Sequence, residues 1–352
     1  MPEKTAKRLL ITFTILLLFC CKKSNTSTTD TIPPVAVPPL SNRFNTDSLP
    51  VTPDAMAEAK NLYRFFKSVY GQKILSGVMT LSSFDETNWL KANTGKEPAI
   101  VGLDFMHCNR GYTWYNNHEP IQDAGIYWSK NGIPVFAWHW RDPSRKTEEF
   151  YSSKTSFDVS KIFEPGSAEY QAMLADIDWV AEEFKKLQIQ KVPVVWRPLH
   201  EAAGGWFWWG AKGAAPCKKL YQVMYERMVH YHGLKNLLWC WTREPNDNNW
   251  YPGNDYVDII GRDIYKQGDH SSHLAEFNLL NELYDKKKMI ALSECGSMPD
   301  VDNLVKDKAA WLWFMPWYGE HTRNSTHNSL ELWKKMFAAE YVLTLDEMPS
   351  LK

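Results

Sequence analysis

The sequence predicts a (β/α)8 barrel, also called a TIM barrel, from three observations. Eight short apolar segments follow one another between residues 74 and 315, and several of the intervals between them show apolar residues at helical spacing. Each segment is a nearly continuous apolar run, which is typical of strands in a parallel sheet covered by helices. A count of eight favours closure into a barrel over an open sheet.

The predicted elements can be placed along the chain. The strands are expected at residues 74–77, 99–104, 133–139, 192–197, 237–241, 257–263, 289–294 and 311–315. Helices are expected at 167–187, 217–231 and 274–287, where apolar side chains recur with helical periodicity. The long interval 141–166 is predicted to form a loop over the active face. No glycine-rich phosphate-binding motif follows a strand, which removes support for a nucleotide-binding enzyme.

Two glutamates follow or end predicted strands in the later part of the chain. Residues 192–197 form an apolar run whose proline does not suit a helix, and Glu201 comes shortly after it. Glu294 ends the seventh predicted strand. Because the C-terminal ends of the strands carry the catalytic groups of such barrels, both carboxyl groups are catalytic candidates. Glycoside hydrolysis needs such a pair, one as a proton donor and one as an ionised group at the anomeric carbon.

A loop rich in glycine and aromatic residues follows Glu201. It contains Trp206, Trp208 and Trp209, in a chain that has 17 tryptophans among 352 residues. The three indoles are predicted to form an exposed surface, because sugar rings present C–H faces that indole rings cover well. The loop therefore favours chemistry on a sugar.

Composition and charge limit the other functional classes. The formal net charge is −1, so no nucleic-acid partner is expected. Cys108, Cys217, Cys240 and Cys295 show no metal-ligand spacing, and their pairing into disulfides stays open. No metal and no cofactor are expected. The chain is long enough for one barrel and an N-terminal tail.

The N-terminus is predicted to be a targeting segment. A basic start precedes the apolar stretch 9–19, which is too short to span a bilayer, and Cys20 and Cys21 follow. This arrangement resembles a bacterial lipoprotein signal, with Cys21 as the preferred lipidation site and Cys20 as the second choice. An ordinary secretory signal is the alternative. Residues 1–21 are assigned to this signal peptide and its lipidated cysteine.

The rest of the chain is divided at residue 50. Residues 22–50 are rich in Ser, Thr, Asn and Pro and are predicted to form a flexible linker. Residues 51–352 are predicted to be the catalytic domain. Lipidation would attach the protein to a membrane, with this domain facing the periplasm or the outer membrane. The periplasmic orientation is favoured, because Lys22 and Lys23 stand where surface-exported lipoproteins often carry acidic residues.

Four segments together resemble glycoside hydrolase family 26: residues 196–201 (WRPLHE), 204–210 (GGWFWWG), 261–265 (GRDIY) and 293–294 (SE). The resemblance extends from about residue 54 to residue 345. It implies a retaining (β/α)8 hydrolase, and the family is dominated by enzymes that cleave β-1,4-mannan. The expected partner is therefore a β-mannan polysaccharide or oligosaccharide, bound by a monomeric enzyme.

The resemblance also implies roles for individual residues. Glu201 corresponds to the general acid/base and Glu294 to the nucleophile. The residues implied to contact the sugar are His139, His200, Trp206, Tyr265 and Trp317. Among these, Tyr265 is expected to donate a hydrogen bond to the nucleophile, Trp206 to lie on the leaving-group side and Trp317 to lie beneath the scissile sugar.

Several alternatives remain open from the sequence. A β-1,3-xylanase or a mixed-linkage β-glucanase would share the fold and the carboxylate pair. A glycan-binding lipoprotein without catalytic activity would share the indoles and the signal, but it would not need both Glu201 and Glu294. Internal (endo) cleavage of mannan and release of mannobiose from chain ends (exo) are both possible, and a periplasmic location favours the exo mode.

Overall fold

The computed structural model describes residues 43–107, 110–115, 118–245 and 247–352. The strands are β1 (Ile74–Met79), β2 (Ile100–Asp104), β3 (Ile133–Ala137), β4 (Val194–Arg197), β5 (Leu237–Arg243), β6 (Ile259–Ile264), β7 (Met289–Cys295), β8 (Trp313–Pro316) and β9 (Val342–Leu343). Strands β1 to β8 pair in parallel and in sequence order, and β1 pairs with both β8 and β2. The sheet is therefore a closed barrel, which confirms the predicted (β/α)8 fold. Strand β9 pairs with the start of β1.

One helix precedes β1, and further helices follow most of the strands. They are α1 (Ala57–Val69), α2 (Asp85–Thr94), α3 (Glu119–Ser129), α4 (Ala168–Ile189), α5 (Ala214–Tyr225), α6 (Leu274–Leu283), α7 (Val301–Asp307), α8 (Glu320–Arg323) and α9 (Leu330–Ala338). Shorter helical turns occur at Val159–Phe163, Ala202–Gly204, Glu226–Tyr231, Asn254–Tyr256 and Leu345–Glu347. The turn at 202–204 lies directly after Glu201 and forms part of the candidate site.

All eight predicted strands are present, with ends that differ from the predicted ends by at most two residues. Strand β3 ends at Ala137, so His139 lies just beyond the strand that it was predicted to end. A hydrogen bond from the Trp140 N–H to the Trp138 carbonyl, 2.9 Å long, turns the chain there. His139 is thus carried by a loop at the C-terminal end of the barrel.

Two of the predicted helices differ in detail from the observed ones. The segment predicted as a helix at 217–231 starts at Ala214, and beyond Tyr225 it continues as a wider π-helical turn. The segment predicted at 274–287 ends at Leu283. Asp285 and Lys286 follow with φ angles of 54° and 63°, a left-handed backbone that cannot continue a right-handed helix.

Side-chain alternation along β4 places a charged residue inside the barrel. Trp196 faces outwards and packs edge-on against Phe184 of α4, with ring centroids 5.0 Å apart. Successive residues of a strand face opposite sides, so Arg197 faces the interior, where its side chain is fully buried. Trp239 of β5 also packs outwards, against Tyr225 of α5, with ring centroids 5.0 Å apart.

Residues 43–50 pack against the barrel, although the sequence analysis placed them in the linker. The Arg43 guanidinium is buried and donates a 2.7 Å hydrogen bond to the Lys308 carbonyl. The ring of Phe44 packs against Tyr70, with centroids 4.4 Å apart. These contacts stabilise the segment despite its polar composition, so the folded domain includes at least residues 43–50 in addition to the predicted 51–352.

Several sequence predictions fall outside the described residues. These are the signal peptide, its candidate lipidation sites Cys20 and Cys21, linker residues 22–42, and Cys108. In the described part of the chain, no helix combines the length and apolar character needed to cross a membrane. Cys217, Cys240 and Cys295 are buried free thiols.

Candidate active site

Glu201 lies in a tight turn just beyond the C-terminal end of β4. Leu199 and Glu201 are not glycines, yet their φ angles are 53° and 51°. Left-handed backbone of this kind is costly for such residues and persists where the surrounding structure enforces it. The turn is held from outside, because the indole N–H of Trp209 donates a 2.9 Å hydrogen bond to the His200 carbonyl.

The loop at 204–210 does not form the predicted surface of three exposed indoles. Only Trp206 is exposed, with 42% of its surface accessible, whereas Trp208 and Trp209 are fully buried. Trp208 donates a 2.6 Å hydrogen bond to the Trp140 carbonyl. Gly210 closes the loop, since a Cβ at this position would collide with the Ala202 carbonyl. Two of the three indoles therefore fix the loop, and Trp206 alone is available for stacking.

Burial and neighbouring negative charges hold Glu201 protonated. Burial, together with the nearby carboxylates of Asp263 and Glu244, raises the pKa of Glu201 to about 8. Arg197 and a 3.1 Å hydrogen bond from the Trp206 indole N–H act in the opposite direction but do not outweigh them. Glu201 is therefore suited to donate a proton at neutral pH.

Glu294 occupies an environment that favours the ionised carboxylate. Its Oε2 accepts a 2.6 Å hydrogen bond from the Tyr265 hydroxyl, and its Oε1 accepts a hydrogen bond from the Arg197 guanidinium. Arg197 and Glu294 are both buried, so their charges are poorly screened by water. A carboxylate with one donor on each oxygen and a buried positive charge beside it is suited to act as a nucleophile.

A third carboxylate completes the centre of the site. Asp263 of β6 accepts a 3.0 Å hydrogen bond from Arg197, which also donates to the Thr242 hydroxyl. Asp263, Glu201 and Glu294 each have an oxygen within 4.8 Å of the other two. In the described part of the chain, no other group of three side chains is close enough to hold a metal ion. Here Arg197 already supplies positive charge to two of the three carboxylates.

His139 and His200 form one wall of the site. The Nδ1 of His139 lies 2.5 Å from Asp104 Oδ2, and its backbone N–H donates to the other oxygen of Asp104 at 3.0 Å. The Nε2 atoms of the two histidines are 3.2 Å apart. Asp104 therefore fixes the orientation of His139, which in turn contacts His200.

The charge states along this wall follow from burial. Burial by itself would raise the pKa of Asp104, but the contacts from His139 lower it below its usual value. Burial, with His139 and Arg197 nearby, lowers the pKa of His200 well below its usual value. His200 is therefore neutral at neutral pH, with one ring nitrogen that donates and one that accepts. Its Nδ1 is buried and has no hydrogen-bond partner among the described residues.

Aromatic rings border the remainder of the site. Trp317 follows β8 and lies against His139, with ring centroids 5.6 Å apart. Tyr265 is 44% exposed as a residue, while its hydroxyl donates a hydrogen bond to Glu294. The loop 141–166 contacts the loop at 204–210 through an isolated β-bridge between Tyr151 and Phe207. As predicted, this long segment lies over the C-terminal face of the barrel.

The structure brings the sequence-predicted site residues together and adds four that the sequence analysis did not assign. The added residues are Asp104, Arg197, Thr242 and Asp263. Charged residues inside apolar strands were a visible signal for Arg197, Asp104 and Asp263, because unpaired charges are not tolerated in a barrel core. Thr242 gave no such signal, since threonine is common in strands.

Comparison with known protein families shows to which family the chain belongs. The profile of Glycosyl hydrolase family 26 matches residues 51–347. The chain belongs to glycoside hydrolase family 26. The segments that suggested the family from sequence alone carry Glu201 and Glu294, the two carboxyl groups at the centre of the site.

Family 26 relatives with similar sequences include enzymes of fungi and bacteria. A mannan endo-1,4-beta-mannosidase of Thermothelomyces thermophilus is 41% identical over 310 residues, which are 84% of this chain and 62% of that protein. Mannan endo-1,4-beta-mannosidase B of Piromyces sp is 38% identical over 311 residues, which are 85% of this chain and 53% of that protein. This family 26 chain thus spans less than two thirds of the length of these relatives.

Solved structures of the family are also similar. A β-mannanase from a symbiotic protist of the termite Reticulitermes speratus, complexed with gluco-manno-oligosaccharide, is 42% identical, with a TM-score of 0.83. The match covers 87% of this chain and 99% of that one. The Podospora anserina GH26-CBM35 β-(1,4)-mannanase is 37% identical, with a TM-score of 0.83, over 90% of this chain and 72% of that one.

Proposed function

We propose that this family 26 protein is a retaining glycoside hydrolase that cleaves internal β-1,4-mannosidic linkages in mannan, glucomannan or galactomannan. The observation that carries the proposal is the pairing of two unlike carboxyl groups. Glu201 and Glu294 approach within 4.8 Å, yet one has a pKa raised to about 8 and the other is held between Arg197 and Tyr265. Retaining enzymes place their carboxyl groups about 5–5.5 Å apart, whereas inverting enzymes need a wider gap for water.

The reaction then proceeds in two displacements. An oxygen of Glu294 attacks the anomeric carbon and forms a glycosyl ester, while the bond to the departing sugar oxygen breaks and that oxygen takes the proton of Glu201. Water next attacks the same carbon, Glu201 takes a proton from this water, and the ester bond to Glu294 breaks. Both groups return to their starting states.

The manno-configuration and the internal cleavage are supported by the relatives. Relatives that match most of this chain are named mannan endo-1,4-beta-mannosidases. The exposed indole of Trp206 beside Glu201 provides a stacking surface next to the proton donor, where the departing part of the chain would lie. We propose that this face binds the departing sugar and that the enzyme acts as a monomer.

The test is hydrolysis by the purified protein, with Glu294→Ala as the inactive control. We expect release of reducing ends from β-1,4-mannan, at most weak activity on lichenan and β-1,3-xylan, and a first-formed product that keeps the β-anomeric configuration by NMR. Rapid loss of viscosity on galactomannan marks internal cleavage. Release of mannobiose without early viscosity loss would instead establish the exo mode, and an α-anomeric first product would exclude the double displacement.

We also propose that the protein is anchored to a membrane by lipid on Cys21 and faces the periplasm. The support is the basic and apolar N-terminal sequence that precedes Cys20 and Cys21. Cys21→Ala should abolish incorporation of labelled palmitate and move the protein to the soluble fraction, while the matched Cys20→Ala variant stays in the membrane. Loss of labelling in Cys20→Ala alone would transfer the anchor to Cys20. Digestion of the protein by protease added to intact cells would overturn the periplasmic orientation.

A further inference from the structure

Strand β7 contains an extra residue immediately before Glu294. Arg262 of β6 pairs with Leu292 of β7, but the next residue of β6, Asp263, pairs with Glu294. Ser293 therefore has no partner on β6. The pairing of β7 with β8 is irregular over the same residues. This pattern is a β-bulge, a feature that often re-aims a side chain next to an active site.

The bulge determines the direction of Glu294. Leu292 pairs with Arg262, whose side chain lies outside the barrel and contacts α6, so Leu292 faces outwards too. In a regular strand Ser293 would then face inwards and Glu294 outwards, because successive side chains alternate. With the bulge, Glu294 faces inwards and reaches Arg197.

Ser293 also faces the interior, and its place there depends on a glycine in the neighbouring strand. A Cβ on Gly261 would collide with the Ser293 hydroxyl oxygen and lie 2.9 Å from the Ser293 Cβ. In the space left by Gly261, the Ser293 hydroxyl donates a 2.6 Å hydrogen bond to Asp263 Oδ1. The other oxygen of Asp263 accepts from Arg197, the residue that also holds Glu294.

We propose that Gly261 and Ser293 are positioning residues that lock this bulge and thereby turn the nucleophile Glu294 towards the substrate. The proposal rests on the proposed function, since it assigns how the nucleophile of that reaction is aimed. Neither residue needs to touch the sugar. Their contribution is the fit of one side chain into the space above a glycine and one hydrogen bond to Asp263.

The first experiment measures how fast Glu294 is labelled. A dinitrophenyl 2-deoxy-2-fluoro-β-mannobioside forms a stable ester with a correctly placed nucleophile, and mass spectrometry follows its formation. We expect Gly261→Ala to slow labelling and to lower kcat by at least about a hundredfold, because small misplacements have costs of this size, with a smaller change in KM. The control is Gly102→Ala in β2, where the new methyl meets the sulfur atoms of Met79 and Met315 instead of the bulge. In the Gly102→Ala variant, Glu294 should be labelled at the wild-type rate.

The second experiment uses the Ser293→Gly background and does not require Gly261→Ala to fold. Without the Ser293 side chain, both contacts of the new methyl group with Ser293 are removed, and only a 3.2 Å approach to the Cys240 sulfur remains. Adding Gly261→Ala to Ser293→Gly should therefore change the labelling rate less than about threefold, whereas the same change slows the wild-type protein at least a hundredfold. A large further loss in the Ser293→Gly background would overturn the proposal, as would normal labelling of Gly261→Ala.

The outcome for the wild-type protein separates this proposal from the proposed function. If the wild type neither hydrolyses mannan nor is labelled at Glu294, the proposed function fails. If the wild type is active and labelled at Glu294 but the Gly261 and Ser293 variants behave independently, the function stands and the role of the bulge is wrong.

Discussion

Tyr265 at the end of β6 donates a 2.6 Å hydrogen bond to Glu294 near the end of β7. Each carboxyl group of the pair thus receives its own aromatic donor, since the Trp206 indole N–H donates to Glu201. The difference between the two lies in the charges around them. Glu294 forms an ion pair with the buried Arg197, whereas Glu201 is half-buried and lies near the carboxylates of Asp263 and Glu244. The donors Arg197 and Tyr265 therefore support an ionised Glu294, whereas the hydrogen bond from Trp206 is not sufficient to ionise Glu201 at neutral pH.

Removal of each carboxyl group should have a different effect. Glu294→Ala should lower kcat by more than about 10⁴-fold on every substrate, because no ester can form. Glu201→Ala should largely spare formation of the ester from an aryl mannobioside, since a good leaving group departs without protonation. Azide should then accelerate Glu201→Ala by attacking the ester without a base. Identical behaviour of both variants on the aryl substrate, with no rescue of either, would contradict the assigned roles.

The pH dependence should report the raised pKa of Glu201. The proton donor is present below pH 8 and is lost as the pH rises through that value, so kcat/KM should fall on the basic side near pH 8.

The raised pKa of Glu201 should also affect stability. The native state retains this proton between about pH 4.5 and pH 8, where the unfolded chain has released it. Stability should therefore fall with rising pH across this window. Thermal unfolding at several pH values measures this dependence. Glu201→Gln should show a smaller decrease of the unfolding temperature between about pH 4.5 and pH 8 than the wild type, and an equal decrease in both proteins would contradict the raised pKa.

Arg197 should be essential for stability as well as for catalysis. Replacement by Met leaves Asp263 and Glu294 buried without their shared cation, and breaking such a pair costs about 3–5 kcal/mol. The matched control is Arg227→Met. It removes a pair with Asp178 that is partly exposed to water, which contributes about 1 kcal/mol or less. Urea unfolding at neutral pH measures both variants, and equal losses would show that burial of the Arg197 pairs does not matter.

The sequence was sufficient to predict the barrel but not the details of the site at the C-terminal ends of its strands. Strand positions follow from apolar runs, which is why all eight were located within two residues. The bulge at Ser293 was hidden, because strict alternation would have pointed Glu294 away from the barrel. The contacts of residues 43–50 with the barrel were not predicted either, since the hydrogen bond from Arg43 to Lys308 joins residues far apart in sequence.

Burial of the indoles could not be inferred from composition either. Trp206 and Trp208 are two residues apart in one glycine-rich loop, yet only one of them is exposed. The difference comes from the hydrogen bond between Trp208 and the Trp140 carbonyl and from edge-on packing of Trp208 against Phe157, with ring centroids 4.8 Å apart. Which ring has such a partner depends on the tertiary structure.

Trp206 and Trp208 should respond differently to replacement by phenylalanine. Trp206→Phe keeps an exposed ring but removes the hydrogen bond to Glu201, which stabilises the charged carboxylate. The pKa of Glu201 should rise further, so the basic limb of kcat/KM should move to higher pH while the unfolding temperature changes little. Trp208→Phe should instead lower the unfolding temperature and leave the pH profile unchanged. It leaves the buried Trp140 carbonyl without its donor, at a cost of about 1–3 kcal/mol, and the Trp208 side chain donates no hydrogen bond to Glu201. An unshifted pH profile in Trp206→Phe would show that the Trp206 indole does not tune the proton donor. A shifted profile in Trp208→Phe would show that the effect is not specific to the hydrogen bond from Trp206.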